Sequence, residues 1–444
     1  MKVTLKFLLP IQIVLLTIII ICLISCETKI ETNGPFFGNG FHNGWADQSS
    51  IIIWTRLTKV AEGNLDGADF MVPTSVERRS LNESGTNDEI MNAQIPEGLT
   101  LDQMIGACPG AAGEVKLTYY PQNDKRKKKE TAWVAVDLDK NFTKQWRLYN
   151  LLPGTQYIVK IQARQNKRTK ISDEIVGGFR TAPAADMPAN IIFTAVTCQE
   201  YLRTDTIGGH KIYYEMLKLS PDFYVHTGDI EYYDRLKPYA LNEKLMRFKW
   251  DRIFGLPLQR TFWLQTTSYF MRDDHDVITD DAYPGMTYGT VSWERGLEIF
   301  DEQNPVNEIP YKTIRWGKDL QVWFTEGRVF RSKNSDPDGP GKTIFGKEQK
   351  EWLFRTLKES NSTFKVIINA NPILGPDRDR KNDNYANVGF KYEGDEIRQF
   401  LNQFNNVYLV TGDRHWQYVT NFEGTNLWEF STGASSDSHA GGWD

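Results

Sequence analysis

Apolar residues along the chain fall into three successive patterns. The first is a nearly unbroken apolar run over residues 7–24, preceded by Lys2 and Lys6. The second has a period of two. Ile51, Ile53 and Thr55 alternate with Ile52, Trp54 and Arg56, residues 115–120 alternate in the same way, and 132–136 follow. A period of two predicts half-buried strands. In Leu151-Leu152-Pro153-Gly154-Thr155-Gln156-Tyr157-Ile158-Val159-Lys160-Ile161 a Pro-Gly turn leads into another strand, and Gly178-Phe179-Arg180-Thr181-Ala182-Pro183 reads as the last strand and the exit. Residues 58–113 form a long polar insertion to which no secondary structure is assigned. The third pattern begins after the linker Ala182-Pro183-Ala184-Ala185-Asp186. Short apolar strands there alternate with helical segments at 212–219, 241–253, 291–302, 347–360 and 395–404. Residues 311–316 and 320–326 form a hairpin turning at Gly317-Lys318-Asp319, and 364–368 is a further buried strand. Strands alternating with helices predict a layered α/β domain. The expected organisation is α+β and multidomain: a signal at 1–26, a β-sandwich at 27–185 and an α/β domain at 186–444.

Composition changes this picture little. The 444 residues are 40% apolar and 25% charged, as in an ordinary globular protein, and a net charge of -5 argues against nucleic-acid binding. The basic run 125–129 lies between two strands and reads as a solvated hairpin tip. The leading run is an export signal with a positively charged start. Leu23-Ile24-Ser25-Cys26 resembles a bacterial lipobox, which makes Cys26 the lipidated first residue of the mature protein. The alternative is an uncleaved membrane anchor. Either way the body lies outside the cytoplasm, and the lipobox points to the cell envelope, at the outer membrane or cell surface. Cys108 and Cys198 remain. An exported chain can pair them, or Cys198 can serve as a thiolate ligand. Tyr157, first in its strand after the Pro-Gly turn, can hydrogen-bond back across the corner, and in this the sandwich resembles fibronectin type III domains.

The candidate chemistry lies at four strand ends. The apolar segment 223–225 runs into His226-Thr227-Gly228-Asp229-Ile230-Glu231-Tyr232. Three other segments have the same form: 191–196 into Thr197-Cys198, 269–271 into Asp273-Asp274-His275-Asp276, and 407–410 into Gly412-Asp413-Arg414-His415. Ligands in open α/β sheets bind at the carboxyl ends of strands. Asp229, Asp274 and Asp413 suit oxophilic cations, and His415 and Cys198 add softer positions that favour iron or zinc. Such a set can surround two or more cations. Two metals about 3.5–4 Å apart bridge a hydroxide and clamp a phosphoryl oxygen for in-line attack. Cys198 and Tyr232 together suit ferric iron, because a thiolate and a phenolate are anionic, strongly donating ligands that calcium or magnesium would not select. Each aspartate alone is also a common turn residue, and each histidine a common packing residue.

The order Thr197-Cys198-Gln199, Gly228-Asp229 with Tyr232, Asp273-Asp274-His275-Asp276-Val277 and Gly412-Asp413-Arg414-His415 resembles the alkaline phosphatase D (PhoD-like) branch of the calcineurin-type metallophosphoesterases. Gln349, Trp352 and Leu353 on the 347–360 helix fit the resemblance, as do Lys365-Val366-Ile367-Ile368, Leu427-Trp428-Glu429-Phe430 and Ser438-His439-Ala440-Gly441-Gly442-Trp443. It covers nearly the whole mature chain. It implies an αββα catalytic domain after a fibronectin-like one, with further strands expected beyond Asp444. It implies that Cys198, Asp229, Tyr232, Asp413 and His415 hold metal, that Asp274 binds a second cation, and that His275 stabilises the transferred group or protonates the leaving oxygen. It also implies iron plus calcium, with zinc or manganese as the alternatives. Arg328, with Arg331, follows a strand and either clamps an anion or forms a structural ion pair. Ile230-Glu231 replaces a more aromatic pair of the family and is expected to add a carboxylate beside the metals. The function implied is hydrolysis of phosphate mono- or diesters by metal-bridged hydroxide. The competing readings are a sulfatase acting on an extracellular polysaccharide through the same metals, and a non-catalytic surface lipoprotein that binds glycans.

Overall fold

Strands buried on both faces read as continuous apolar runs, and Phe223-Tyr224-Val225 is of that kind, whereas the neighbouring Thr267–Phe270 opens on Thr and Ser. Phe223–His226 and Thr267–Phe270 are buried at every position. The computed structural model describes residues 34–378 and 380–441. In it these strands belong to a six-stranded sheet. Its order is Thr143–Leu148, Ile51–Arg56, Phe41–Gly44, Thr267–Phe270, Phe223–His226, Phe193–Val196, and the last four run parallel. A second six-stranded sheet is ordered Lys312–Trp316, Leu320–Phe324, Phe364–Asn369, Val407–Thr411, Trp428–Ser431, Tyr418–Asn421. The two sheets pack across Phe223, Val225, Tyr269, Trp316, Phe324 and Ile368. Helices Lys211–Lys218, Glu243–Phe254, Pro257–Trp263 and Trp293–Gln303 cover the outer face of the first sheet. Gly346–Glu359 and Lys391–Leu401 cover that of the second. The result is helix, sheet, sheet, helix, with the parallel strands' carboxyl ends at one edge.

The expected signal with Cys22 and Cys26, and the terminal Gly442 and Trp443, lie outside the described residues. Among the described residues no helix is long and apolar enough to cross a membrane.

A sandwich does form in the N-terminal part, but it does not stand apart. Five strands make its outer layer: Lys129–Glu130, Glu114–Pro121, Gln156–Arg164 and Asp173–Arg180 in order, with Val134–Ala135 also pairing Glu114–Pro121. This layer packs on Phe41, Ile51, Ile53 and Trp146 of the first sheet. The boundary expected at 185/186 therefore runs through a shared sheet, in which Asn43 and Gly44 pair with Thr267 and Ser268. The reason is legible in Ile51-Ile52-Ile53-Trp54, which is apolar on both faces. Ile51 and Ile53 enter the sandwich core while Trp54 enters the core beneath the helices.

The insertion 58–113 is also more regular than its polarity predicts. It holds helices Ser75–Ser84 and Asn87–Asn92, started by capping boxes in which Thr74 pairs with Glu77 and Thr86 with Glu89. Phe70, Ile90 and Met104 anchor it to the core beneath the helices.

Tyr157 makes the corner contact. Its hydroxyl accepts a hydrogen bond from the Leu152 N–H at 2.8 Å, and its ring stacks on Phe179. Tyr157→Phe should therefore lower stability by about 0.5–1.5 kcal/mol, the net worth of a part-buried hydrogen bond, while the folded variant keeps wild-type turnover. Urea unfolding read beside a turnover assay checks this, and a hundredfold loss of turnover in folded protein would contradict it.

Candidate metal centre

Five strand ends converge on one edge of the two facing sheets. Cys198 follows Phe193–Val196, Asp229 follows Phe223–His226, and Asp273 to Asp276 follow Thr267–Phe270. From the second sheet Asn371 follows Phe364–Asn369, and Asp413 and His415 follow Val407–Thr411. The loops are forced close. A Cβ on Gly228 would lie 2.6 Å from the Asp273 Cβ, and one on Gly412 would lie 2.2 Å from the Thr227 Oγ1. Cys198, Asp229 and Asp413 all adopt left-handed backbone, with φ of 52°, 57° and 62°. Such conformations at non-glycine residues cluster at functional sites.

Among the described residues four groups of side chains offer ligand atoms within 4.8 Å of one another: Cys198 with Asp229 and His415, Asp229 with Asp273 and Asp413, Asp229 with Asp274 and His275, and Asp274 with Asp280 and Asp281. Asp229 is common to the first three. The Cys198 Sγ lies 3.5 Å from Asp229 Oδ2, and the Tyr232 hydroxyl donates to the same oxygen at 3.1 Å. Tyr232 also lies 3.4 Å from His415 Nε2. Burial, and the carboxylates of Asp274, Asp273 and Asp276, push the Asp229 pKa well above the usual range against the charge of His275. Burial and Asp229 likewise raise the Cys198 thiol. Cys198 and Cys108 are both free and buried, so the disulfide that an exported chain could have made is not formed.

The donor set fits cations. Among the described residues, the buried oxygens Asp229 Oδ1 and Asn371 Oδ1 have no hydrogen-bond partner. Such atoms are costly unless something satisfies them. Asn371 donates its Nδ2 to Asp273 at 3.0 Å and to Asp413 at 3.1 Å, which leaves its carbonyl oxygen free as a hard donor. Sequence reasoning missed Asn371. The signal was Asn369-Ala370-Asn371 at the end of a strand already recognised, a fifth strand end of the same form.

The cluster Asp273-Asp274-His275-Asp276 divides its labour. Asp273 faces Asp229 and Asp413. Asp274 stays near Asp229 and His275, but its oxygens accept from the Asp281 and His275 N–H groups at 2.6 and 3.1 Å. Asp276 is fully buried and accepts four backbone N–H groups, from Asp229, Ile230, Glu231 and Asp273, at 2.7–3.0 Å. It splints the two loops that carry the carboxylates. His275 donates its Nδ1–H to Asp234 Oδ1 at 2.8 Å, while its Nε2 lies 3.7 Å from Asp280. Against burial, which lowers it, Asp234, Asp274 and Asp229 raise the His275 pKa above the usual histidine range. Asp234, two residues past Tyr232, was not singled out in the sequence.

Other side chains brace the centre. Arg328 is fully buried, with Nε on Asp273 and Nη2 3.6 Å from Asp274. Arg331 is also buried and donates to Asn334 and to the Asp383 carbonyl, each at 2.7 Å. These partners account for part of each fork, while Arg328 Nη2 and Arg331 Nε and Nη1 make no hydrogen bond among the described residues. Arg414 is held by Asp413, by Asp377 at 3.2 Å and by Asp383 at 3.1 Å. His439 places Nδ1 3.0 Å from the Cys198 carbonyl and its ring 4.3 Å from that of His415. Glu231 turns away from the ligands toward Lys249 and Arg252, 3.5 Å from each. The extra carboxylate expected beside the metals is instead the counter-charge of two buried cations.

Comparison with known proteins agrees with this geometry. A solved structure of PhoD superposes with a TM-score of 0.68 over 91% of this chain and 78% of that one, at 18% identity. The purple acid phosphatase PPD1 from yellow lupin seeds superposes with a TM-score of 0.55 over 91% and 66%, at 9% identity. At these identities the likeness is one of fold: two facing sheets between layers of helices. Alkaline phosphatase D of Bacillus subtilis (strain 168) is 23% identical over 312 residues, 55% of this chain and 49% of that protein. The chain thus spans about half the length of this curated relative. The model of the PhoD-like phosphatase family matches residues 193–442, from the Cys198 strand through the His439 loop. Matched over more than half its length, and across every strand end that builds the centre, the chain belongs to the PhoD-like phosphatase family.

Proposed function

We propose that the protein hydrolyses phosphate mono- or diesters at this centre, with two or more bound cations, and that it acts outside the cytoplasm as a lipid-anchored protein of the cell envelope. The observation that carries the reading is Asp229, one buried carboxylate shared by three groups of ligand atoms. Cations bound there supply a Lewis acid for phosphoryl oxygens and lower the pKa of a water. Cys198, Asp229, Tyr232 and His415 would hold one of them. Asp273, Asn371 and Asp413, sharing Asp229, would hold another, with Asp274 beside them. The thiol and phenol support ferric iron at the first position, and the all-oxygen set supports calcium at the second. Zinc or manganese are the alternatives. His275, oriented by Asp234, is the group that stabilises the transferred phosphoryl or protonates the leaving oxygen. The signal at 1–26 ending in Cys26 supports the location.

A panel of aryl phosphate, bis-aryl phosphate and aryl sulfate, offered to metal-replete protein, tests the reading. One or both phosphate esters should be turned over, with activity abolished by chelation and restored by metal. Turnover of the sulfate alone would make the protein a sulfatase, and turnover of none would return it to a binding role.

A further inference from the structure

The loop after Asp229 carries a cation that the centre leaves unused. Lys249 on the helix Glu243–Phe254 has its side chain 1% exposed, with Glu231 as its counter-charge. Its Nζ donates to the carbonyl oxygens of Tyr232 and, at 3.1 Å, of Arg235. The Arg235 N–H closes a turn onto the Tyr232 carbonyl at 3.3 Å. The backbone from 232 to 235 is thus fixed at both ends from the buried side. A buried lysine spent on two carbonyl groups is a costly fixture, and what it fixes is the place from which Arg235 leaves the loop.

Arg235 itself is exposed. Its guanidinium carbon lies 5.7 Å from the centroid of the Tyr232 ring. Among the described residues the guanidinium makes no hydrogen bond and no ion pair. Against burial, which lowers it, Asp234, Tyr232, Glu200 and Asp280 raise the Arg235 pKa, and its charge in turn disfavours the protonated forms of His415 and His439. The buried arginines nearby, Arg328 and Arg414, are ion-paired with Asp273 and Asp413, each keeping one nitrogen without a hydrogen-bond partner among the described residues. Arg235 differs in being exposed, with its whole fork of donors open beside the candidate ligand Tyr232. Free guanidinium forks match the non-bridging oxygens of a phosphate.

We propose that Arg235 contacts the substrate, binding the non-bridging phosphoryl oxygens of the ester from above Tyr232, and that the buried Lys249–Glu231 pair holds it there. The proposal rests on the phosphoesterase reading and names the residue that supplies anion affinity beside the cations.

Two variants of the metal-replete protein, Arg235→Ala and Arg235→Lys, test it with inorganic phosphate as the binding probe and bis-aryl phosphate as the substrate. Calorimetry should show phosphate affinity about tenfold or more weaker in Arg235→Ala, as for loss of charged hydrogen bonds. KM should rise in parallel, with a smaller change in kcat, and Arg235→Lys should recover part of both. Metal content should not change. Unaltered phosphate affinity and KM would overturn the proposal. So would loss of metal from Arg235→Ala, because Arg235 would then be supporting Tyr232 rather than substrate. Wild-type protein that binds no phosphate would overturn it together with the phosphoesterase reading. Wild-type protein that binds phosphate through Arg235 yet turns over no phosphate ester would sink the phosphoesterase reading alone. An active wild type with an unaffected Arg235→Ala would sink the arginine alone.

Discussion

Asp229→Ala should strip the centre of more than one cation and lower turnover by about 10³-fold or more. Loss of a group that merely orients a ligand typically costs about 10–100-fold in metal affinity, and Asp229 is itself a ligand candidate in three of the four groups. Its Oδ2 already meets Cys198 and Tyr232, and its Oδ1 is buried without a partner among the described residues. One carboxylate removed therefore leaves Cys198 and His415 without a hard partner, and Asp273 and Asp413 without their third oxygen. Asp276→Asn is the comparison. It loosens the four backbone N–H groups that Asp276 gathers, so it should weaken metal binding within the 10–100-fold range and regain activity when metal is in excess. Metal stoichiometry by mass spectrometry separates the two. If ferric iron sits with Cys198 and Tyr232, its charge-transfer absorption gives a second readout, lost in Asp229→Ala and kept in metal-saturated Asp276→Asn. Asp229→Ala protein with full metal content would show that the three groups do not share this residue.

How far the sequence carried the structure can be judged from particular residues. Four strand ends were legible because each is a short apolar run broken by a turn residue and followed by Asp, His or Cys. Their convergence could not be read from spacing, because it depends on two sheets facing each other, and Cys198 and Asp413 are more than two hundred positions apart. Asn371 escaped because an amide after a strand looks like a turn former until its neighbours are known. Arg328 could not be assigned, since an arginine after a strand can point to the mouth or behind it. Its burial against Asp273 appears only in the folded chain. Glu231 misled for the same reason: its place beside Tyr232 in sequence said nothing of Lys249, which arrives from a helix eighteen positions on. At the level of fold, alternation found Glu114–Pro121 and Gln156–Arg164, whose faces differ in burial, and also Ile51–Arg56, which is buried at every position. The strand Phe41–Gly44, short and without alternation, was missed, and with it the pairing that joins the sandwich to the α/β sheet. The two capping boxes of the insertion were readable as Thr-x-x-Glu. The polar run around them obscured them, because its helices bury few residues.

His275→Ala should keep the metals and lose about 10²–10⁴ in rate, the range for a positioned acid or base. Its ring is buried and leans against Tyr232, with centroids 4.3 Å apart, and Asp234 fixes one nitrogen at 2.8 Å. The other nitrogen lies 3.7 Å from the exposed carboxylate of Asp280 and makes no hydrogen bond among the described residues. A histidine held this way by a buried carboxylate has its free nitrogen aimed and its protonated form stabilised. Asp234 can do this because it stays ionised. Against its own burial, His275 and the Asp280 N–H hold its carboxyl well below the usual range. Asp234→Asn should therefore reproduce part of the His275→Ala loss without touching the metals. The leaving group then discriminates between two roles. A proton donor matters most when the departing alkoxide is a poor leaving group, so His275→Ala should be impaired least on nitrophenyl esters and most on alkyl esters. A charge stabiliser acting on the phosphoryl oxygens would cost the same on both. Loss of metal from folded His275→Ala would remove the residue from either role and make it a ligand of the group that also holds Asp229 and Asp274.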